Sequence, residues 1–225
     1  MTVRVMSLQS AVSQKVTSFS DSLLAPDEPT LFGNNWYSCG MDTAGVNTAA
    51  ALAARVNRVA TGMQFSGGGA GSLTFEFAFI PNQIPFYEWN GKAQFVQWKF
   101  ISDTSAGGNC NVVGIGSFCN PNTYRGYILS KNRFGVTDGG VTLVSRPSGA
   151  TISATHAIVA NDVIRLETRP MALGVNELKI LINGATVQTI NDNSLSQIGV
   201  PIAYCGFCAI GAQVSIYSTF SCGLL

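Results

Sequence analysis

The chain has 225 residues and a formal net charge of +1, and charged side chains make up 11% of it. Ordinary soluble domains carry roughly 25%, so this surface leans on Ser, Thr, Asn and its 24 Gly. Scattered, balanced charge excludes the electrostatic footprint of a nucleic-acid binder. The length fits one large all-β domain, because sandwiches and barrels run to roughly 200–250 residues undivided.

In chain order, residues 1–18 carry Val3, Val5, Leu8, Val12 and Val16 in a pattern between strand and helix periodicity. They are expected to form an N-terminal arm or edge strand that docks late, a neighbouring subunit being one seat for it. Arg4, Gln9, Gln14 and Lys15 interrupt the apolar residues, leaving no signal-peptide core. No run approaches the ~18 apolar residues of a membrane span. The expectation is a product made in a cytoplasm, where disulfides are disfavoured. Cys39, Cys110, Cys119, Cys205, Cys208 and Cys222 then start as thiols.

The domain proper is expected over 19–225. Pro26 and Pro29 make a rigid turn, and Trp36-Tyr37 opens a strand with an aromatic anchor. Residues 48–60 are ambiguous: alanine content favours a helix, alternation around Val56 and Val59 favours a strand, and a strand from about Leu52 is expected. Glycines 67–69 and 71 lead into 72–79, where Phe75, Phe77 and Phe79 share one face of a period-2 strand. Further strands are expected at 93–101, 110–115, 124–129, 134–136, 141–144 and 158–159, and closing strands at 202–210 and 214–220.

The clearest signal lies at 162–192. Ile164 and Leu166 alternate with Arg165 and Glu167, and Leu178, Ile180 and Ile182 alternate with Lys179. Asn183-Gly184 then supplies the positive-φ pair of a two-residue hairpin turn, and 187–190 runs back. This is a β-meander. With turn signals about every 8–12 residues, it predicts an antiparallel all-β sandwich.

Three pieces in order resemble the concanavalin A-like (laminin G-like) jelly-roll superfamily. They are Phe19-x-Asp21 with Gly33-Asn34-x-Trp36, the meander with its Asn183-Gly184 turn and Asp192, and a terminal strand with Tyr217 and Phe220. The resemblance implies a jelly-roll β-sandwich whose last strand pairs with its first. Such jelly-rolls occur as lectin domains, glycan-binding modules and phage virion proteins. The paired carboxylates of the superfamily's glycosidases (Glu-x-Asp-x-x-x-Glu) are missing here, so a hydrolase is not carried over.

The candidate chemistry is sparse. His156 is the sole histidine, and Ser–His or Cys–His catalysis would have to pass through it; a strand or turn position is the plainer reading. Cys205-x-x-Cys208 sits among strand residues, not at the helix N-terminus a redox dithiol needs. Zinc would require Cys110 and Cys119 as further ligands, at a looser spacing than a structural knuckle. Buried core thiols are expected instead, with a Cys110–Cys119 disulfide open to an oxidising medium. Asp21, Asp138 and Asp192 are isolated and offer no calcium loop. Arg55, Arg58, Arg125, Lys131 and Arg133 lack the aromatic interleaving of a nucleic-acid face.

Phe86, Tyr87 and Trp89 sit between prolines beside Glu88 and Asn90. Sugar C–H faces stack on such rings while hydroxyls take directed hydrogen bonds; alternatively the rings plug one end of the sandwich or bury in a subunit contact. No catalytic group, cofactor or metal is expected. The combined expectation is a non-enzymatic structural virion protein of a tailed bacteriophage: a cement or decoration protein on the capsid surface, bridging major capsid protein subunits as a homo-oligomer, a trimer favoured. The alternative is a lectin-like domain of a tail fibre or spike that binds a cell-surface glycan.

Overall fold

The computed structural model describes residues 18–21, 36–42, 56–66, 75–81, 91–103, 110–117, 125–131, 140–146, 151–193, 202–208 and 214–225. In chain order the strands are β1 (Ser18–Asp21), β2 (Trp36–Asp42), β3 (Val56–Val59), β4 (Gly62–Ser66), β5 (Phe75–Pro81), β6 (Gln94–Asp103) and β7 (Cys110–Ser117). There follow β8 (Arg125–Lys131), β9 (Gly140–Arg146), β10 (His156–Ala157), β11 (Val163–Pro170), β12 (Asn176–Ile182), β13 (Ala185–Asp192), β14 (Ile202–Cys208) and β15 (Val214–Leu224). A single 3₁₀ turn, Ala172–Gly174, lies between β11 and β12, and no α-helix occurs among the described residues.

The strands form two antiparallel sheets. The first runs β13-β12-β11-β6-β15-β4-β3 with β1 also pairing β15, and the second runs β10-β9-β8-β7-β14-β5-β2. The expected meander is the run β11-β12-β13. Its turn has Asn183 at φ 52 and Gly184 at φ 80, the two left-handed positions that suit the twist of a hairpin. The opening and closing strands pair as expected, Ser18 opposite Gly223 and Asp21 opposite Phe220.

Alternation builds the core. Inward positions of the first sheet bring Val96, Trp98 and Phe100 of β6, Ile164 and Leu166 of β11, and Leu178 and Ile180 of β12 to near-zero exposure. Tyr127 and Leu129 of β8 meet them from the second sheet, both fully buried. Each such side chain contributes about 1.5–3 kcal/mol by leaving water. In β15 the pairing with β6 shifts between Ser218 and Ser221, where Thr219 adopts φ 53. That bulge inserts an extra residue and resets the alternation, so Cys222 lies opposite Val96 and both face the core.

Some expectations need correction. The short strand placed at 158–159 is instead His156–Ala157, paired to Val141 and Gly140. The reason is a turn: the Val159 amide donates to Asp162 Oδ2 (2.7 Å), and the Asp162 amide donates to the Val159 carbonyl (3.1 Å). That turn leaves Ile158 buried and Val159 at 67% exposure. The segment 62–66, passed over in the sequence, is a strand, because Val59 and Gly62 close a hairpin across Ala60-Thr61. The last strand also runs to Leu224, held by both β6 and β1. Of the arm expected at 1–18 only Ser18 is described, as the first residue of β1; the proline turn and the strand expected at 134–136 lie outside the described residues.

Candidate functional site

At one end of the first sheet the inward face changes from apolar to polar. Gln94, Thr168, Asn176 and Asp192 are all at least nine-tenths buried. Gln94 lies opposite Thr168, and Asn176 lies opposite both Pro170 and Asp192. Gln94, Thr168 and Asn176 fall in phase with the apolar core residues of their own strands, one step nearer the end, and Asp192 falls in phase with the half-buried Ile190. From the facing sheet the Tyr127 hydroxyl donates to Asp192 Oδ2 at 2.6 Å and accepts from Asn176 Nδ2 at 3.3 Å.

This trio ties the two sheets together. Burial pushes the Tyr127 phenol far above its ordinary range, and the bond to Asp192 adds to the shift. The phenol therefore stays protonated and donates. A hydrogen bond to a carboxylate contributes about 1.5–3 kcal/mol, and removing the phenol takes one bond from each of two buried groups.

The same end anchors a segment of interest. Residues 82–90 join β5 of the second sheet to β6 of the first. One anchor is Pro81, paired with Trp36; the other is Ala93, whose carbonyl accepts from the Leu225 amide at 2.9 Å. Phe86, Tyr87 and Trp89 belong to this segment and lie outside the described residues, so their side chains are not placed.

At the opposite end Asn183 and Asp162 form a closed network. Asn183 Nδ2 donates to Asp162 Oδ1 (2.7 Å), and Asn183 Oδ1 accepts from the Val163 amide (2.8 Å). This holds the hairpin turn against the start of β11 and sets register. His156, the catalytic candidate of the sequence, pairs its Nε2 with Gln188 Oε1 at 2.6 Å. It joins the edge strand β10 of one sheet to the edge strand β13 of the other.

The outer face of the first sheet is charged. Arg165 lies over the Phe95 ring, 3.8 Å from its centroid, and its Nε donates to Glu167 Oε1 at 2.7 Å. Lys179 pairs with Glu177 at 3.3 Å. Opposite charges also face each other across strands, Glu167 against Lys179 and Arg169 against Glu177, an arrangement that stabilises a water-facing sheet surface.

The remaining sequence candidates do not assemble into a site. Cys205 and Cys208 lie on β14, paired with β5; positions three apart on a strand belong to opposite faces, and the helix N-terminus of a redox dithiol is not there. Cys110 begins β7 opposite Lys131, whereas Cys119 lies outside the described residues. Asp192 is engaged by Tyr127, Asp21 belongs to β1, and Asp138 lies outside the described residues. Among the described residues no three His, Cys, Asp or Glu gather to hold a metal. Arg58 lies on the first sheet and Arg125 and Lys131 on the second; Arg55 and Arg133 lie outside the described residues. The sequence reading missed the polar row and the Phe95–Arg165 stack. The row had a signal: Gln94-x-Val96-x-Trp98 and Ile164-x-Leu166-x-Thr168 place polar residues in phase with the core.

No protein-family model matches the chain, and no curated protein matches it in sequence. Solved structures do match in fold. A protein with a galectin-like fold from Bacillus subtilis has a TM-score of 0.54 at 11% identity, with 94% of this chain and 97% of that one covered. The apo Crh5 transglycosylase follows at 0.53 and 11% identity, covering 93% and 85%. The metal-free carbohydrate recognition domain of Emp46p gives 0.50 and 11%, covering 85% and 89%. The chain has a galectin-like, concanavalin A-like β-sandwich fold. These neighbours include a carbohydrate recognition domain and a transglycosylase, so the fold does not by itself separate binding from catalysis.

Proposed function

We propose that this protein is a lectin-like glycan-binding module. The observation that carries the reading is the buried, hydrogen-bonded polar end of the sandwich. A buried polar row, tied across the sheets by Tyr127, fixes that end, and the aromatic segment with Phe86, Tyr87 and Trp89 leaves from it. Recognition residues commonly sit on loops held by a rigid scaffold. Aromatic rings beside an amide and a carboxylate have the chemistry for sugar faces and hydroxyls. A carbohydrate recognition domain among the fold neighbours supports the same reading. In a fibre or spike such a module would engage a cell-surface glycan.

The capsid-bridging role expected from low charge and the N-terminal segment draws no support from the fold neighbours. The ion-paired outer face of the first sheet also suits contact with water better than burial in a shell. A glycan array probed with the full chain is the test. Binding to a defined set of oligosaccharides, lost in Trp89→Ala with the fold intact by circular dichroism, is the expected result. Mass spectrometry of the bound sugars separates the two activities of this fold, since shortened or rejoined oligosaccharides would replace the binding reading with an enzymatic one. An array with no signal would end it.

A further inference from the structure

Asn183-Gly184 is one of two Asn-Gly pairs in the chain, the other being Asn90-Gly91. Asparagine is a thermolabile residue, and most so before glycine, whose missing Cβ leaves its backbone nitrogen open to approach. Both residues of the turn are exposed, and a Cβ at Gly184 would meet nothing within 4 Å. Water therefore reaches the reacting atoms. Local chemistry favours loss of the Asn183 side-chain amide.

The fold opposes it. Three hydrogen bonds hold Asn183: its backbone amide donates to the Val163 carbonyl at 2.8 Å, Oδ1 accepts from the Val163 amide at 2.8 Å, and Nδ2 donates to Asp162 Oδ1 at 2.7 Å. Ile182 and Ala185 pair across the turn and fix its ends. Swinging Cγ onto the Gly184 nitrogen breaks both side-chain bonds, one of them to a carboxylate.

We propose that Asn183 is a site of spontaneous deamidation, kept closed in the folded protein by its bonds to Asp162 and Val163. In the reaction the Gly184 nitrogen gives its proton to solvent and attacks Asn183 Cγ. A C–N bond forms, the Cγ–Nδ2 bond breaks, and Nδ2 takes up a proton and leaves as ammonia. Water then opens the cyclic imide at one or the other carbonyl, leaving aspartate or isoaspartate. The product cannot rebuild the clamp. Aspartate sets a second carboxylate where Nδ2 donated to Asp162, and like charges that close repel. Isoaspartate adds a methylene to the backbone of a two-residue turn whose length sets the β12–β13 register. Conversion thus frees the hairpin turn from the start of β11, and it is independent of any glycan site.

Peptide mapping by mass spectrometry tests this on the full chain, incubated folded and in urea at one pH and temperature. Asn183 should convert at least ~10-fold more slowly in the folded protein, because two hydrogen bonds must break first. Asp162→Ala, folded by circular dichroism, should convert faster at Asn183 than folded wild type, with Asn90 unchanged. Equal rates in the folded and unfolded wild type, or no conversion in either, would overturn the proposal. So would a folded Asp162→Ala that is as slow as wild type, or one that is faster at both pairs alike. If Asp162→Ala does not fold, the wild-type rates and Asn183→Asp decide: an Asn183→Asp variant that unfolds at the same urea concentration as wild type would overturn it.

Discussion

Tyr127 carries its hydroxyl from one sheet into the polar end of the other, where it bonds to two buried groups, Asp192 and Asn176. Tyr127→Phe removes the donor to Asp192 and the acceptor for Asn176, so a loss of about 1–3 kcal/mol is expected by urea unfolding. The same residue sets a pH dependence. Its phenol binds its proton more tightly folded than unfolded, so the contribution is fully present below the unfolded value near pH ~10 and is lost as pH rises beyond it. The wild type should lose stability more steeply than Tyr127→Phe above that pH. Equal slopes in the two proteins would show that the phenol is not the titrating group.

Among the elements, the β12–β13 hairpin separates backbone from packing. A Cβ at Gly184 meets nothing within 4 Å, yet the residue sits at φ +80. Gly184→Ala should therefore cost about 1–2 kcal/mol through left-handed backbone strain alone. Gly184→Asn should recover most of that, because Asn tolerates the left-handed region. Thermal unfolding of the pair checks it, and an alanine variant as stable as wild type would contradict the turn geometry. The turn was legible in the sequence because its requirement is local. The clamp between Asn183 and Asp162 was not, since its partners are 21 residues apart and meet only once β11 lies beside β12.

For the whole molecule, the chain closes on itself late. β15 pairs with β6, β4 and β1, and its residues Phe220 and Cys222 are fully buried. A chain that stops after Ser218 should lose the contact between opening and closing strands and about 3–5 kcal/mol from Phe220 alone. Its unfolding transition, followed by near-ultraviolet circular dichroism, should be absent or strongly broadened. A sharp transition at the wild-type temperature would mean that the sandwich is complete without its last strand.

The sequence by itself determined the class of the fold. Period-2 alternation, the Asn183-Gly184 turn and the order of the end motifs are properties of neighbouring residues, and they predict strands and one hairpin directly. Tertiary structure decided what the polar residues do. Gln94 and Thr168 stand in phase with the core in the sequence, but the meeting of Asn176 and Asp192 with Tyr127 is decided only when the two sheets face each other. It also decided that, among the described strands, β13 ends the first sheet while β11 and β12, with their ion pairs, lie inside it. Strand order is set by pairings between distant segments, so it is not written in the local pattern of any one strand.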